Sequence, residues 1–269
     1  MPSGKQSRRQ RRTVKVPPTP ASGRRDRRAS PRVLAIAAVV IGLAVAAVVV
    51  GIVATRGSDS TQAENVPRRG SLVNALPGAA EVQSMYAGIP QARNLIGSAS
   101  APVTMVEYVD LQCPYCRTFE LSVMPTLVSR YVKTGKLRID TRPIAFIGPD
   151  SVSGREALVA AGHQQRFYNF MQLLYLNQGA ENSGWLDDEL ITAVAASIPG
   201  MNVPRLLRER DSDVVAAETT RFDEEAQAQG VNSTPTIFVG RTGTTPEHVP
   251  LSSPDDAAAI VKAIQNALA

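Results

Sequence analysis

Val103 to Val109 is a mostly apolar, β-branched run in which a period of two puts Val103, Met105, Glu107 and Val109 on one face and Thr104, Val106 and Tyr108 on the other. This predicts a strand. A helical pattern follows from residue 117 to about 134, with Gly135 as its stop and Pro125 as an internal kink, because proline removes a backbone donor. Residues 137–144 predict the next strand. Strand, helix and strand in that order give a right-handed crossover and a parallel pair. A short first strand is expected at 94–96, closed by the turn Gly97-Ser98-Ala99-Ser100.

Residues 151–229 read as helical in several pieces. Leu186, Leu190, Ile191 and Val194 mark one apolar face, with Asp187, Asp188 and Glu189 in the first turn and Pro199-Gly200 as the stop. Residues 236–239 predict a short strand, and 245–251 its antiparallel neighbour across a turn at Gly243. The last helix is expected to open on Ser253-Pro254-Asp255-Asp256, which offers a cap, a proline at the first position and an acid beyond it. Ile260, Val261, Ile264 and Leu268 form its buried stripe. The whole reads as an α/β chain without internal repeats.

The first third of the sequence follows different rules. Residues 1–32 carry eleven Lys or Arg and one acid, Asp26, so this arm holds +10 of charge and the remainder −5. Residues 33–54 are an unbroken apolar run, interrupted only by Gly42 and Gly51. At 1.5 Å per residue the run spans about 33 Å, enough for a bilayer core and longer than a secretory signal needs. A retained transmembrane helix is expected, in contact with membrane lipid, with the basic arm cytoplasmic and everything after Arg56 outside. Nucleic-acid binding by the arm is not expected, since it has no aromatic interleaving and no fold of its own. Residues 55–88, rich in Gly, Ser and Asn, predict a flexible stalk. The folded domain is expected at 89–269, with helical residues from about 150 to 229 inserted in it.

Only two cysteines occur, Cys113 and Cys116, and both fall in the exported part. A staple closing so short a loop constrains the unfolded chain little. Chemistry explains the pair better. Cys113 sits where a strand ends and a helix begins, so its sulfur meets unpaired backbone N–H groups and the positive end of the helix dipole. Both favour the thiolate. Pro114 suits the first helical position, and Cys116 lies one turn later, deeper and within bridging distance. A zinc site with His163 and His248 is not expected, because these lie 47 and 132 residues after Cys116 and match no compact ligand spacing. Glu107, on the inward face of the first clear strand, is read either as a proton relay for the resolving thiol or as one half of an ion pair with Arg138.

The run Val106-Glu107-Tyr108-Val109-Asp110-Leu111-Gln112-Cys113-Pro114-Tyr115-Cys116, followed by Phe119, resembles the active-site strand and helix of the DsbA-like branch of the thioredoxin superfamily. The run Gly230-Val231-Asn232-Ser233-Thr234-Pro235-Thr236 is similar to that family's loop bearing a cis-proline opposite the Cys-x-x-Cys. The resemblance implies a thioredoxin fold with a central mixed sheet and a helical insertion between the third strand and the cis-proline loop. It implies Cys113 as nucleophile, Cys116 as resolving thiol, Glu107 as proton relay and Pro235 in the cis state. Thr234, Pro114 and Tyr115 would then form the surface that meets the substrate. No cofactor or metal is implied. Two residues depart from DsbA itself, which has His in the place of Tyr115 and Val in the place of Thr234.

The function expected is an extracytoplasmic thiol–disulfide oxidoreductase that introduces disulfides into exported proteins and is reoxidised by a membrane partner of the DsbB or VKOR type. A tethered reductase, for example in cytochrome maturation, is the alternative enzyme. A tethered binding or chaperone module with incidental thiols is the alternative outside enzymes.

Overall fold

A computed structural model describes residues 66–269. The basic arm, the apolar run and the first part of the expected stalk lie outside the described residues. No helix among the described residues is long and apolar enough to cross a membrane.

The sheet is built around β3 (Val103–Val109), which pairs in parallel with β4 (Leu137–Pro143) and antiparallel with β5 (Thr236–Arg241). Two short strands, β1 (Gln91–Ala92) and β2 (Leu95–Ile96), extend it beyond β4, and β6 (Glu247–Val249) closes the other edge. The order among the described residues is β1-β2-β4-β3-β5-β6, a mixed sheet. As the central strand, β3 is buried on both faces apart from half-buried Thr104, which is why its alternation is so weakly polar. Val103, Met105 and Val109 are fully buried, and so is Glu107 between them.

The expected single helix after Cys116 is instead three segments. Helix α2 (Pro114–Ser122) stops at Val123, α3 (Met124–Leu127) carries Pro125 in its first turn, and a π-helical segment (Val128–Val132) follows. Proline is tolerated only where its missing N–H has no helical partner to lose, so the helix restarts there instead of bending through it. Gly135 then takes the left-handed conformation, φ 70°, that ends the segment.

Between β4 and β5 lies the insertion: α4 (Pro149–Gly162), α5 (Phe167–Leu176), α6 (Asp188–Ala196), α7 (Val203–Glu209) and α8 (Asp213–Ala228). Every residue of α5 except Leu176 is buried, as expected of a helix surrounded on all sides. It packs against α1 (Ala79–Tyr86), α2, α4 and α6. The closing helix α9 (Ala257–Leu268) buries Ile260 and Ile264. Its cap is Asp256, whose carboxylate accepts the Ala259 N–H at 3.1 Å, and not Ser253. The Ser253 hydroxyl turns instead to Asp255.

The stalk expected at 55–88 needs correction over its second half. The Gly70 N–H donates to Met201 O at 2.9 Å, Ser71 N–H to Ala196 O at 2.8 Å, and Gly200 N–H back to Gly70 O at 3.0 Å. Leu76 N–H reaches the Ser197 hydroxyl at 2.9 Å, and α1 buries Ala79, Val82 and Tyr86. A polar composition hid this because the docking uses backbone groups, whose partners lie more than 120 residues away. At Gly70 an added Cβ would run into the carbonyl oxygens of Ile198 and Ala195. Gly70→Ala is therefore expected to cost about 1–3 kcal/mol in denaturant unfolding and to speed trypsin cleavage after Arg69. Unchanged stability and cleavage would mean that this strap is not docked.

Candidate active site

Strand β3 runs out at Val109, and a tight turn, closed by Cys113 N–H to Asp110 O at 3.0 Å, delivers Cys113 to the N-cap of α2. Cys113 keeps an extended backbone, φ −70° and ψ 119°, and its sulfur accepts the Cys116 backbone N–H at 3.4 Å. Pro114 occupies the first helical position, where it forfeits no bond. Both cysteines are free thiols, with Cys113 4% exposed and Cys116 wholly buried.

The two sulfurs are driven apart in acidity. The Cys116 thiol, the Thr234 side chain and the backbone N–H groups of Cys116 and Tyr115 together lower the Cys113 thiol to about 6, against the opposing effect of burial. For Cys116 the balance reverses. Burial first, and then its neighbour Cys113, hold that thiol well above the ordinary range. In the thiol form Cys113 Sγ also donates to Thr234 O at 3.3 Å.

The Thr234–Pro235 peptide bond is cis. Thr234 and Pro235 line a cavity of about 230 Å³ with Tyr115, Leu251, Ser253 and Pro254. The Tyr115 side chain stands out into solvent at 62% exposure, and Phe146, at 51%, is another exposed aromatic. Of the residues singled out in sequence, Cys113, Cys116, Pro114, Tyr115, Thr234 and Pro235 thus come together at one end of the sheet. His163 and His248 do not join them. His163 lies between Glu209 and Glu218, 3.0 Å from each, and His248 packs on the Phe238 ring, centroids 5.4 Å apart.

Glu107 is fully buried, and the register of β3 sets it opposite Thr141 on β4 and Ile237 on β5. The Thr141 hydroxyl donates to its Oε1, and Oε2 has no partner among the described residues. Arg138 is not its counter-ion. It sits opposite Thr104, three residues along the strand, and its Nε donates to that hydroxyl at 2.9 Å. Burial pushes the Glu107 carboxyl up to about 8, while the Thr141 bond pulls the other way and the Asp140 charge adds to the rise.

A second buried acid, Glu120, was missed in the sequence. It lies on α2 one turn beyond Cys116, wholly buried, and neither carboxyl oxygen has a hydrogen-bond partner among the described residues. Burial, and then the charge of Glu107, raise its carboxyl well above the usual range. The signal was available: Cys116, Phe119, Glu120 and Val123 follow i, i+3, i+4, i+7, so an inward Cys116 implies an inward Glu120.

The C-terminal end of α5 and the loop after it grip the Cys113 turn. Gln178 Nε2 donates to Leu111 O at 2.8 Å and Cys113 O at 3.2 Å, and Tyr175 OH donates to Asp110 O at 3.1 Å. From the helix side, Arg117 Nε donates to Tyr175 O at 2.9 Å.

Comparisons with known proteins agree with this fold. A family profile described as Thioredoxin matches residues 91–263. The chain is 29% identical over 155 residues to a probable disulfide bond formation protein D of Bacillus cereus, covering 56% of this chain and 72% of that protein. It is similar in fold to oxidised BdbD from Bacillus subtilis, with a TM-score of 0.58 and 22% identity over 67% of this chain and 96% of that one. Wolbachia pipientis alpha-DsbA1 aligns with a TM-score of 0.56 and 18% identity, covering 67% and 91%.

Two outcomes follow from the acidities. Iodoacetamide at pH 6 should label Cys113 of the reduced protein and leave Cys116 unlabelled; equal labelling that rises only near pH ~8.5 would mean ordinary thiols. In the disulfide form no thiol titrates, and Glu107 carries a higher pKa folded than the 4.5 of an unperturbed carboxyl. The folded state then holds the extra proton between about 4.5 and about 8, so stability is greatest below that window and falls as pH rises through it. Glu107→Gln should flatten the decline of Tm from pH 5 to 8. An unchanged slope would show that Glu107 ionises freely in the fold.

Proposed function

The chain belongs to the thioredoxin family and is a DsbA-like disulfide oxidoreductase; from that premise we propose that it works outside the cytoplasm, passing the Cys113–Cys116 disulfide to exported proteins. One observation carries the reading: two sulfurs lie one helical turn apart, one at the helix N-cap accepting a backbone N–H and the other wholly buried.

In the oxidised enzyme a substrate thiolate attacks Cys113 Sγ, the more accessible sulfur. The Cys113–Cys116 bond breaks, Cys116 leaves with the electron pair, and a mixed disulfide joins the substrate to Cys113. A second substrate thiolate then attacks the substrate sulfur of that bond, releasing Cys113 as a thiolate and completing the substrate disulfide. Two electrons now reside on the enzyme pair. A leaving group of low pKa departs readily, so the environment of Cys113 favours electron flow from substrate to enzyme.

Cys116 cannot stay a thiolate in its dry site, and it needs a proton as it leaves. Glu107 and Glu120, both buried and both with carboxyls raised above the usual range, are suited to give one and to recover it on reoxidation. The substrate chain would lie along Thr234 and Pro235, with its side chains against Pro114, Tyr115 and the adjoining cavity. Residues 33–54 would hold the domain at the membrane through lipid contact, where a redox partner of the DsbB or VKOR type could reoxidise the pair.

The reduction potential tests the direction. Tyr115 offers no cation beside the thiolate, so the extreme of ~−120 mV should not be reached, while the N-cap position should keep the value above thioredoxin's. The expected potential lies between about −130 and −230 mV. A value at or below ~−270 mV would overturn the oxidase reading and favour a tethered reductase.

A further inference from the structure

Asp110 is wholly buried, three residues before the nucleophile, and plays no part in the steps above. Every polar group it has is used. Its Oδ1 accepts the Gln112 N–H at 2.8 Å and the Ser151 hydroxyl at 2.7 Å. Its Oδ2 accepts the N–H groups of Phe146 and Ile147 at 2.7 and 3.0 Å. Its carbonyl takes the Cys113 N–H, and its own backbone N–H faces the Cys116 sulfur.

These bonds fall into two sets. The Oδ1 bond to Gln112 N–H closes a side-chain turn across two residues, a geometry that Asp and Asn favour because the short side chain mimics a backbone turn. That turn carries Cys113 to the helix N-cap. The Oδ2 bonds fasten the segment by which the chain leaves the sheet for the helical insertion. We infer that Asp110 is a positioning residue for both sulfurs, setting the turn that presents Cys113 to the helix N–H groups and riveting the root of the insertion to that turn.

Charge alone would act in the opposite sense. A carboxylate so close to Cys113 disfavours its thiolate by Coulomb repulsion, so simple removal of the charge should lower the thiol's midpoint. Loss of position should raise it, because the sulfur drifts from the N–H groups that stabilise it. Alanine removes both charge and turn, whereas asparagine removes charge and keeps an oxygen for the Gln112 N–H.

The test is a thiolate titration of the reduced full-length protein at 240 nm, read without turnover. It therefore stands apart from whether the chain is an oxidase. Asp110→Ala should raise the Cys113 midpoint by about one unit, slowing alkylation at pH 6 roughly fivefold. Asp110→Asn, which loses the charge and keeps the turn, should titrate at or somewhat below the wild-type midpoint. Equal shifts in the two variants, or a midpoint in Asp110→Ala at or below that of the wild type, would overturn the inference. If the alanine protein fails to fold, Asp110→Glu decides the matter. It keeps the charge but carries the carboxylate past the Gln112 N–H, so a raised midpoint supports positioning and an unchanged one overturns it.

Discussion

The first N–H groups of a helix have no partner inside it, and a sulfur placed at the N-cap becomes that partner. At Cys113 this bond comes from Cys116 N–H, the backbone of the second cysteine. The same turn of helix therefore does two things with one geometry. It stabilises negative charge on the first sulfur and carries the second inward, where charge is unfavourable. The strand that ends at Val109, the turn closed on Asp110 and the proline that opens α2 all serve to put Cys113 at that cap and no further along.

Keeping Cys116 dry has a consequence for its neighbours. Glu107 and Glu120 share the same interior, and among the described residues Thr141 is the one hydrogen-bond partner that either carboxyl has. Two buried carboxylates in one interior would be very costly if both were ionised, so burial favours the protonated form of each. Neutral Glu107 also exerts no repulsion on a Cys113 thiolate.

Much of this was legible in the chain. The alternation around Glu107, the Cys-Pro-Tyr-Cys at a strand–helix junction and the long helical interval before Thr234 gave the sheet centre, the cap and the insertion. What escaped notice has specific causes. Pro125 was read as a kink because local pattern cannot tell a bent helix from two that abut. Charge alone suggests Arg138 as a partner for Glu107, but strand register decides it, and register sets Thr141 there. The strap around Gly70 binds through backbone atoms, which leave no trace in composition. Glu120 is the instructive omission, since helical spacing from Cys116 pointed to it and only its acidic identity argued for the surface.

The insertion is more than an addition to the side of the sheet. Tyr175 and Gln178 follow Cys113 by more than sixty residues, yet they hold the carbonyls of Asp110, Leu111 and Cys113. Asn182 does the same for the Gln112 side chain, donating its backbone N–H to Oε1 at 2.8 Å. A sheet with a single covering helix at this place would leave those carbonyls to water, and water there would also reach Cys116. The buried helix α5 explains how the insertion can be so exact in its placement. With nearly all of its length in the core, it cannot shift without opening cavities, so the groups at its C-terminal end are fixed relative to α2. Thiol chemistry at the cap therefore depends on packing built from a different part of the chain.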